Sequence, residues 1–113
     1  MKIAEIIRLT EASVCSQGCP DREITGALSG DLLSFIMAEA REGWLWITIQ
    51  VHLNVAAVAV LKDVPFVLIA SGRTPEKALV DRCSVEGITL AVTSMSAFDA
   101  AGVLREAGLP GAS

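Results

Sequence analysis

Apolar side chains recur along this chain in two alternating periods. Ile3, Ile6, Ile7 and Leu9 share one side of a short helix. Ser13–Cys15 reads as a short strand, and Ser16–Arg22 (SQGCPDR) as a loop by its Gly and Pro. Ile24–Ser29 follows as a strand with Gly26 inside it, which marks a bulge or a close backbone approach. A helix then opens at Gly30-Asp31, with Asp31 as N-cap. It carries Leu32, Leu33, Ile36, Met37 and Ala40 at helical spacing and ends with Gly43 in the C′ position.

From Trp44 the order becomes regular. Trp44–Gln50 is β-branched and apolar, as in a buried strand, and Asn54–Lys62 is an Ala/Val helix capped by Asn54. Pro65–Ala70 (PFVLIA) is the next strand. Thr74 caps the following helix, with Pro75 at its first position, where a missing N–H does no harm. Ile88–Thr93 is the last strand. Ser96-x-x-Asp99 opens the final helix, which runs to about Glu106. Repeated β-α units in the C-terminal two-thirds predict an α/β fold. We expect a small three-layer domain with a mainly parallel sheet, covered by helices on both faces, as one domain over 1–113.

Composition narrows the class. At 113 residues the chain is 52% hydrophobic and only 19% charged, against about 25% charged for an average soluble domain. That excludes disorder. The net charge of −4 argues against a basic nucleic-acid surface. Trp44–Leu61 is an uncharged run of 18 residues, about the minimum for a membrane span. Gln50, His52 and Asn54 interrupt its centre, so it reads as strand then helix. No signal-peptide pattern opens the chain, which predicts a cytoplasmic location. Cys15, Cys19 and Cys83 are an odd number and a poor disulfide framework. With a single His in the chain they do not assemble a metal site.

Motif chemistry is mostly absent. The sequence has no phosphate-binding G-x-x-x-x-G-K-[ST] loop, no G-x-G-x-x-G fingerprint and no G-x-S-x-G elbow. It therefore predicts a non-enzyme without cofactor or metal. Open α/β sheets bind ligands beyond the strand carboxyl ends. Three strand-to-helix segments must converge there: Thr48 to Asn54 with Gln50 and His52, Ser71 to Thr74 with Arg73, and Thr93 to Ser96 with Ser94. Helix N-termini there present free N–H groups, and Arg73 adds a cation. Together with Asp31, Thr48, Gln50, His52, Asn54, Arg73, Thr74, Ser94 and Ser96 form the candidate site for a small anionic ligand such as a nucleotide or phosphorylated metabolite. The alternative is that these residues only cap helices and close turns.

His52 reads first as a structural hydrogen-bonding residue, then as a ligand contact, last as an acid–base group. Trp44 and Trp46 alternate in period 2 and suit core packing or an interface. Val55–Leu61 is apolar all round, which asks for burial on more than one side and predicts a homodimer. A second reading of the chain is thus a ligand-free protein–protein module acting through an apolar dimer surface.

Particular strings then matter: Asp21-Arg22-Glu23-Ile24-Thr25-Gly26, Ser29-x-Asp31-Leu32-Leu33-Ser34, Trp46-Ile47-Thr48-Ile49-Gln50-x-His52-x-Asn54 and Ala57-Val58-Ala59-Val60-Leu61. Together with Gly72-Arg73-x-Pro75 and Ser96-Ala97-Phe98 they resemble the DRTGG domain family from about Ile3 to Leu109. Ala27 stands where a second Gly is common in that family. The resemblance implies an α/β domain like the N-terminal domain of HPr kinase/phosphorylase, without the kinase domain. It also implies a regulatory or ligand-sensing role.

Overall fold

The computed structural model describes residues 1–111. Within them five helices and five strands follow in order. They are α1 (Ile3–Thr10), β1 (Ser13–Ser16), β2 (Ala27–Ser29), α2 (Leu33–Glu39), β3 (Leu45–Thr48), α3 (Asn54–Leu61), β4 (Phe66–Ile69), α4 (Lys77–Glu86), β5 (Thr89–Val92) and α5 (Ala97–Glu106). The sheet has the order β1-β5-β4-β3-β2. β2 to β5 are parallel, and β1 pairs antiparallel with β5.

The pleat sorts the strand residues into two cores. Trp46, Val67, Ile69 and Leu90 face one side, with Ile36, Val55, Ala59, Leu79 and Cys83. Leu45, Ile47, Phe66, Leu68 and Ala91 face the other, with Ile3, Ile6, Ala100 and Leu104. The parallel strands lie side by side in chain order, so crossovers of one hand all return over the same face. α2, α3 and α4 therefore share one face, and α1 and α5 take the other. The expected three-layer α/β architecture is present, with helices distributed three against two.

Buried hydroxyls are bonded rather than stranded. Thr93 Oγ1 donates to the Thr10 carbonyl at 2.7 Å, and Ser16 Oγ to the Ile88 carbonyl at 3.1 Å. Among the described residues no buried side-chain nitrogen or oxygen lacks a partner. The uncharged run from Trp44 divides into β3 and α3, and no described helix is long and apolar enough to cross a membrane. α3 lies beside α2 and α4, and its Val55, Ala56, Val58 and Ala59 are buried inside this one chain. Much of the cover expected from a second subunit is thus supplied internally.

Several expected caps are placed differently. Asp31 is not the N-cap of α2, since Leu32 holds that position without a side-chain bond. Asp31 turns across to the end of β3 instead. Gly43 lies beyond the end of α2, whose C-cap is Ala40, and adopts φ +79° in the turn before β3. Asn54 is the first residue of α3 rather than its cap. Thr74 and Pro75 precede α4, which starts at Lys77 with Glu76 as N-cap. The reason is tertiary: the Glu76 amide donates to the Val51 carbonyl at 3.0 Å, and Glu76 is itself extended, at φ −62° and ψ 145°, so the helix begins only after it. Ser96 caps α5 as expected, its Oγ accepting from the Asp99 amide at 3.1 Å.

Gly26 marks a close approach. A Cβ there would lie 2.5 Å from Trp44 Cε2, against a buried indole. Gly26→Ala should therefore destabilise the fold by about 1–3 kcal/mol, the usual range for overpacking a core, read as a lowered midpoint in urea unfolding. Cys83 is buried, and burial pushes its thiol up to about 11. It should resist iodoacetamide at pH 8 in the folded protein and react at the rate of unfolding. Fast alkylation of folded protein at Cys83 would contradict that placement.

A candidate ligand face at the strand carboxyl ends

The loops after β2, β3, β4 and β5 meet at one edge of the sheet, and polar bonds tie them together. Asp31, just after β2, is the centre. Its Oδ1 accepts from Thr48 Oγ1 at 2.9 Å and from the Ile49 amide at 2.8 Å. Thr48 Oγ1 in turn accepts from the Gln50 amide at 3.1 Å, and Gln50 Nε2 donates to the Asp31 carbonyl at 2.9 Å. Thr48 is fully buried, so its hydroxyl needs such a partner.

The same edge is crossed from β4 and β5. Arg73 Nη1 donates to the Ile49 carbonyl at 2.6 Å. The Ser71 and Gly72 amides donate to the Met95 and Thr93 carbonyls at 2.7 and 2.8 Å. Ser71 and Gly72 both sit in the left-handed region, at φ +61° and +64°. Left-handed backbone costs a non-glycine residue about 1–2 kcal/mol, so Ser71 is a strained residue that its neighbours hold in place. No sequence motif announced it.

His52 has a structural assignment. Its Nδ1 accepts from the Asn54 amide at 3.0 Å, which closes the start of α3 in place of an N-cap side chain. Val55 and Ala56 amides donate to the His52 and Leu53 carbonyls. The first turn of α3 is therefore already satisfied. The candidate residues thus fall into two groups. Asp31, Thr48, Gln50 and His52 are engaged in holding the loops. Arg73, Thr74, Ser94 and Ser96 are exposed along the same edge, as is Asn54 at the head of α3. Arg73 spends one nitrogen on Ile49, and Ser96 accepts the α5 cap bond.

Three concavities lie elsewhere. One of about 260 Å³ sits at the opposite edge, beside Arg22, Asp63 and Glu86. One of about 460 Å³ lies near Glu5, Glu23 and Ala107. One of about 240 Å³ runs between β2 and α5, lined by Ala27, Ser29, Ala101, Leu104, Arg105 and Leu109 among others. Sequence reasoning missed this last groove because β2 and α5 are distant in sequence. The only available hint was a run of small residues, Ala100-Ala101-Gly102, inside a helix.

No protein-family model matches the sequence, and no curated protein matches it. Among solved structures, the fold superposes with TM-score 0.77 on a crystal structure of the CBS and DRTGG domains from the regulatory region of Clostridium perfringens pyrophosphatase, complexed with its activator diadenosine tetraphosphate. The chain has a DRTGG-like fold. Identity is 16%, and the match covers 96% of this chain and 47% of the other, so the chain spans about half the length of the structure it matches.

Within this DRTGG-like fold, the run Asp21 to Gly26 lies before β2, at the opposite end of the strand from the candidate face. Its bonds are structural: the Ile24 amide donates to the Met1 carbonyl at 2.7 Å and the Thr25 amide to the Gly43 carbonyl at 3.2 Å. Gly26 makes room for Trp44. Ala27 takes the next position, partly buried against the core on the α1 and α5 side. The Asp31 network makes a separable prediction. Asp31→Ala leaves the buried Thr48 hydroxyl and the Ile49 amide without their acceptor and should cost about 1–3 kcal/mol in urea unfolding. His52→Ala should cost about 1 kcal/mol, and His52→Asn, which keeps an acceptor, should recover most of it.

Proposed function

We propose that this chain is a non-enzymatic regulatory module that senses a small anionic ligand at the strand carboxyl ends. The observation that carries this reading is the joined loop edge. Ser71, a non-glycine residue in the left-handed region, and Gly72 beside it are pinned to the β5 loop, and Arg73 is fixed next to them on the β3 loop. Backbone strain held by surrounding structure is a mark of binding and switch regions. A guanidinium with one nitrogen anchored offers its remaining N–H groups to phosphate oxygens in a defined direction. Exposed Thr74, Ser94, Ser96 and Asn54 add hydrogen-bonding groups around it. One solved structure with this fold is of a regulatory region complexed with an activator, diadenosine tetraphosphate. A nucleotide or phosphorylated metabolite is therefore the ligand class we favour. The three cysteines are free, which suits a cytoplasmic setting.

A second reading, assembly through an apolar surface, draws on a different observation. Leu32, Phe35 and Leu53 are exposed beside the loop edge, and Phe98 is exposed on α5. Large exposed apolar groups of this kind mark interaction surfaces. A homodimer or another protein partner would cover them.

The ligand reading is tested by thermal shift and calorimetry with diadenosine tetraphosphate, ATP and inorganic phosphate. A ligand at about a hundred times its Kd should add about 2.7 kcal/mol of stability, and Arg73→Ala should abolish the shift. No shift from any of the three at millimolar concentration counts decisively against it.

A further inference from the structure

The loop edge carries a negative charge as well as a positive one. Asp31 accepts from Thr48 Oγ1 at 2.9 Å and from the Ile49 amide at 2.8 Å, and both bonds fall on the same oxygen, Oδ1. The other oxygen, Oδ2, has no hydrogen-bond or ion-pair partner among the described residues. Asp31 is exposed, so that oxygen keeps its lone pairs for a group outside the fold. Gln50 repeats the pattern. Its Nε2 is spent on the Asp31 carbonyl at 2.9 Å, and its Oε1 accepts nothing among the described residues.

The cation stands on the other side of Ile49. Arg73 Nη1 donates to the Ile49 carbonyl at 2.6 Å, while Asp31 accepts the Ile49 N–H. A single residue thus separates the two charges, which keeps carboxylate and guanidinium within about 9 Å of each other. The screening length in 0.1 M salt is about 10 Å. An anion drawn to Arg73 is therefore also repelled by Asp31.

A bare phosphate does not suit such a pair. A ligand that carries its own cation does. Mg²⁺ is bound through one or two carboxylates together with substrate phosphates, and it keeps several of its waters. Among the described residues no three His, Cys, Asp or Glu side chains are grouped to hold a metal by themselves. One free carboxylate oxygen suffices only where phosphates supply further ligands, so the ion has to arrive with the ligand.

We propose that the ligand of this face is a magnesium–polyphosphate complex, such as the Mg²⁺ complex of a nucleoside triphosphate. Asp31 Oδ2 takes the metal, and Gln50 Oε1 is left to accept from one of its waters. Arg73 takes a phosphate oxygen that the metal leaves free. The inference rests on the ligand reading and narrows it from anions in general to chelated polyphosphates. It also gives Asp31 two tasks: one oxygen joins the β2 and β3 loops, and the other meets the ligand.

The test is calorimetric titration of the full chain with ATP, once in MgCl₂ and once in EDTA, with MgCl₂ alone as control. The parent should bind ATP about tenfold or more tightly with Mg²⁺ than without it, and Mg²⁺ alone should give no saturable heat. Asp31→Asn keeps an oxygen for Thr48 and Ile49 and puts an NH₂ group in place of Oδ2. It should bind ATP in EDTA more tightly than the parent does, because a repelling charge is gone, and Mg²⁺ should bring it no gain. Equal affinity with and without Mg²⁺ in the parent, a gain that survives in Asp31→Asn, or saturable binding of Mg²⁺ alone would overturn this inference and leave the ligand reading standing. No binding of ATP in either buffer at millimolar concentration would sink both. The parent also answers without any variant. Mn²⁺ accepts the same oxygen ligands, so MnCl₂ added with ATP should broaden the amide NMR signals of Leu32 and Gln50, and broadening confined to another part of the surface would refute the role of Asp31.

Discussion

Three consecutive parallel strands in this molecule are buried on both faces. Every residue of β3 and β4 is inaccessible to solvent, as are most of those in β5. That constraint organises everything around them. Each strand needs apolar side chains above and below, so each reads as a continuous apolar run. Both faces need helices, and crossover handedness decides which helices go where. Strand order then assigns three helices to one side and leaves two terminal helices for the other.

The strand carboxyl ends are the second consequence. Parallel strands end together, so their loops converge whether or not a ligand is present. Here the convergence is reinforced by side chains that bond loop to loop. Asp31 links the ends of β2 and β3, and Arg73 links the ends of β3 and β4. Loops joined in this way are mechanically coupled, so displacing one strains the bonds that hold the others.

Much of the fold was legible because buried strands and amphipathic helices write their periods directly. The α/β class, the β-α alternation after Trp44 and the division of the uncharged run all follow from single segments. The Ser96 cap was legible too, because the bond it makes is three residues long. Two of the misplaced caps share one cause. Asp31 and Thr74 are good capping residues, but long-range partners decide what happens there: Thr48 and Ile49 hold Asp31, and the Val51 carbonyl takes the Glu76 amide ahead of α4. Asn54 is displaced locally, because His52 two residues earlier accepts its amide and the helix starts at Asn54 itself. Convergence of the site loops could be inferred from topology. Which side chains would be occupied in joining them, and which left outward, could not, since this depends on distances between segments some twenty residues apart.

The antiparallel strand β1 carries a consequence for how the chain acquires its structure. β1 pairs with β5, α1 packs on α5, and Thr93 bonds the carbonyl of Thr10, 83 residues away. The first strand in the sequence thus has no sheet partner until the last strand exists. During synthesis, the parallel β2–β3–β4 unit can begin to assemble while α1 and β1 wait. Closing so large a loop is entropically expensive and slow relative to local pairing. The N-terminal segment should therefore dock late, and its exposed apolar side chains are the part of the nascent chain most in need of protection.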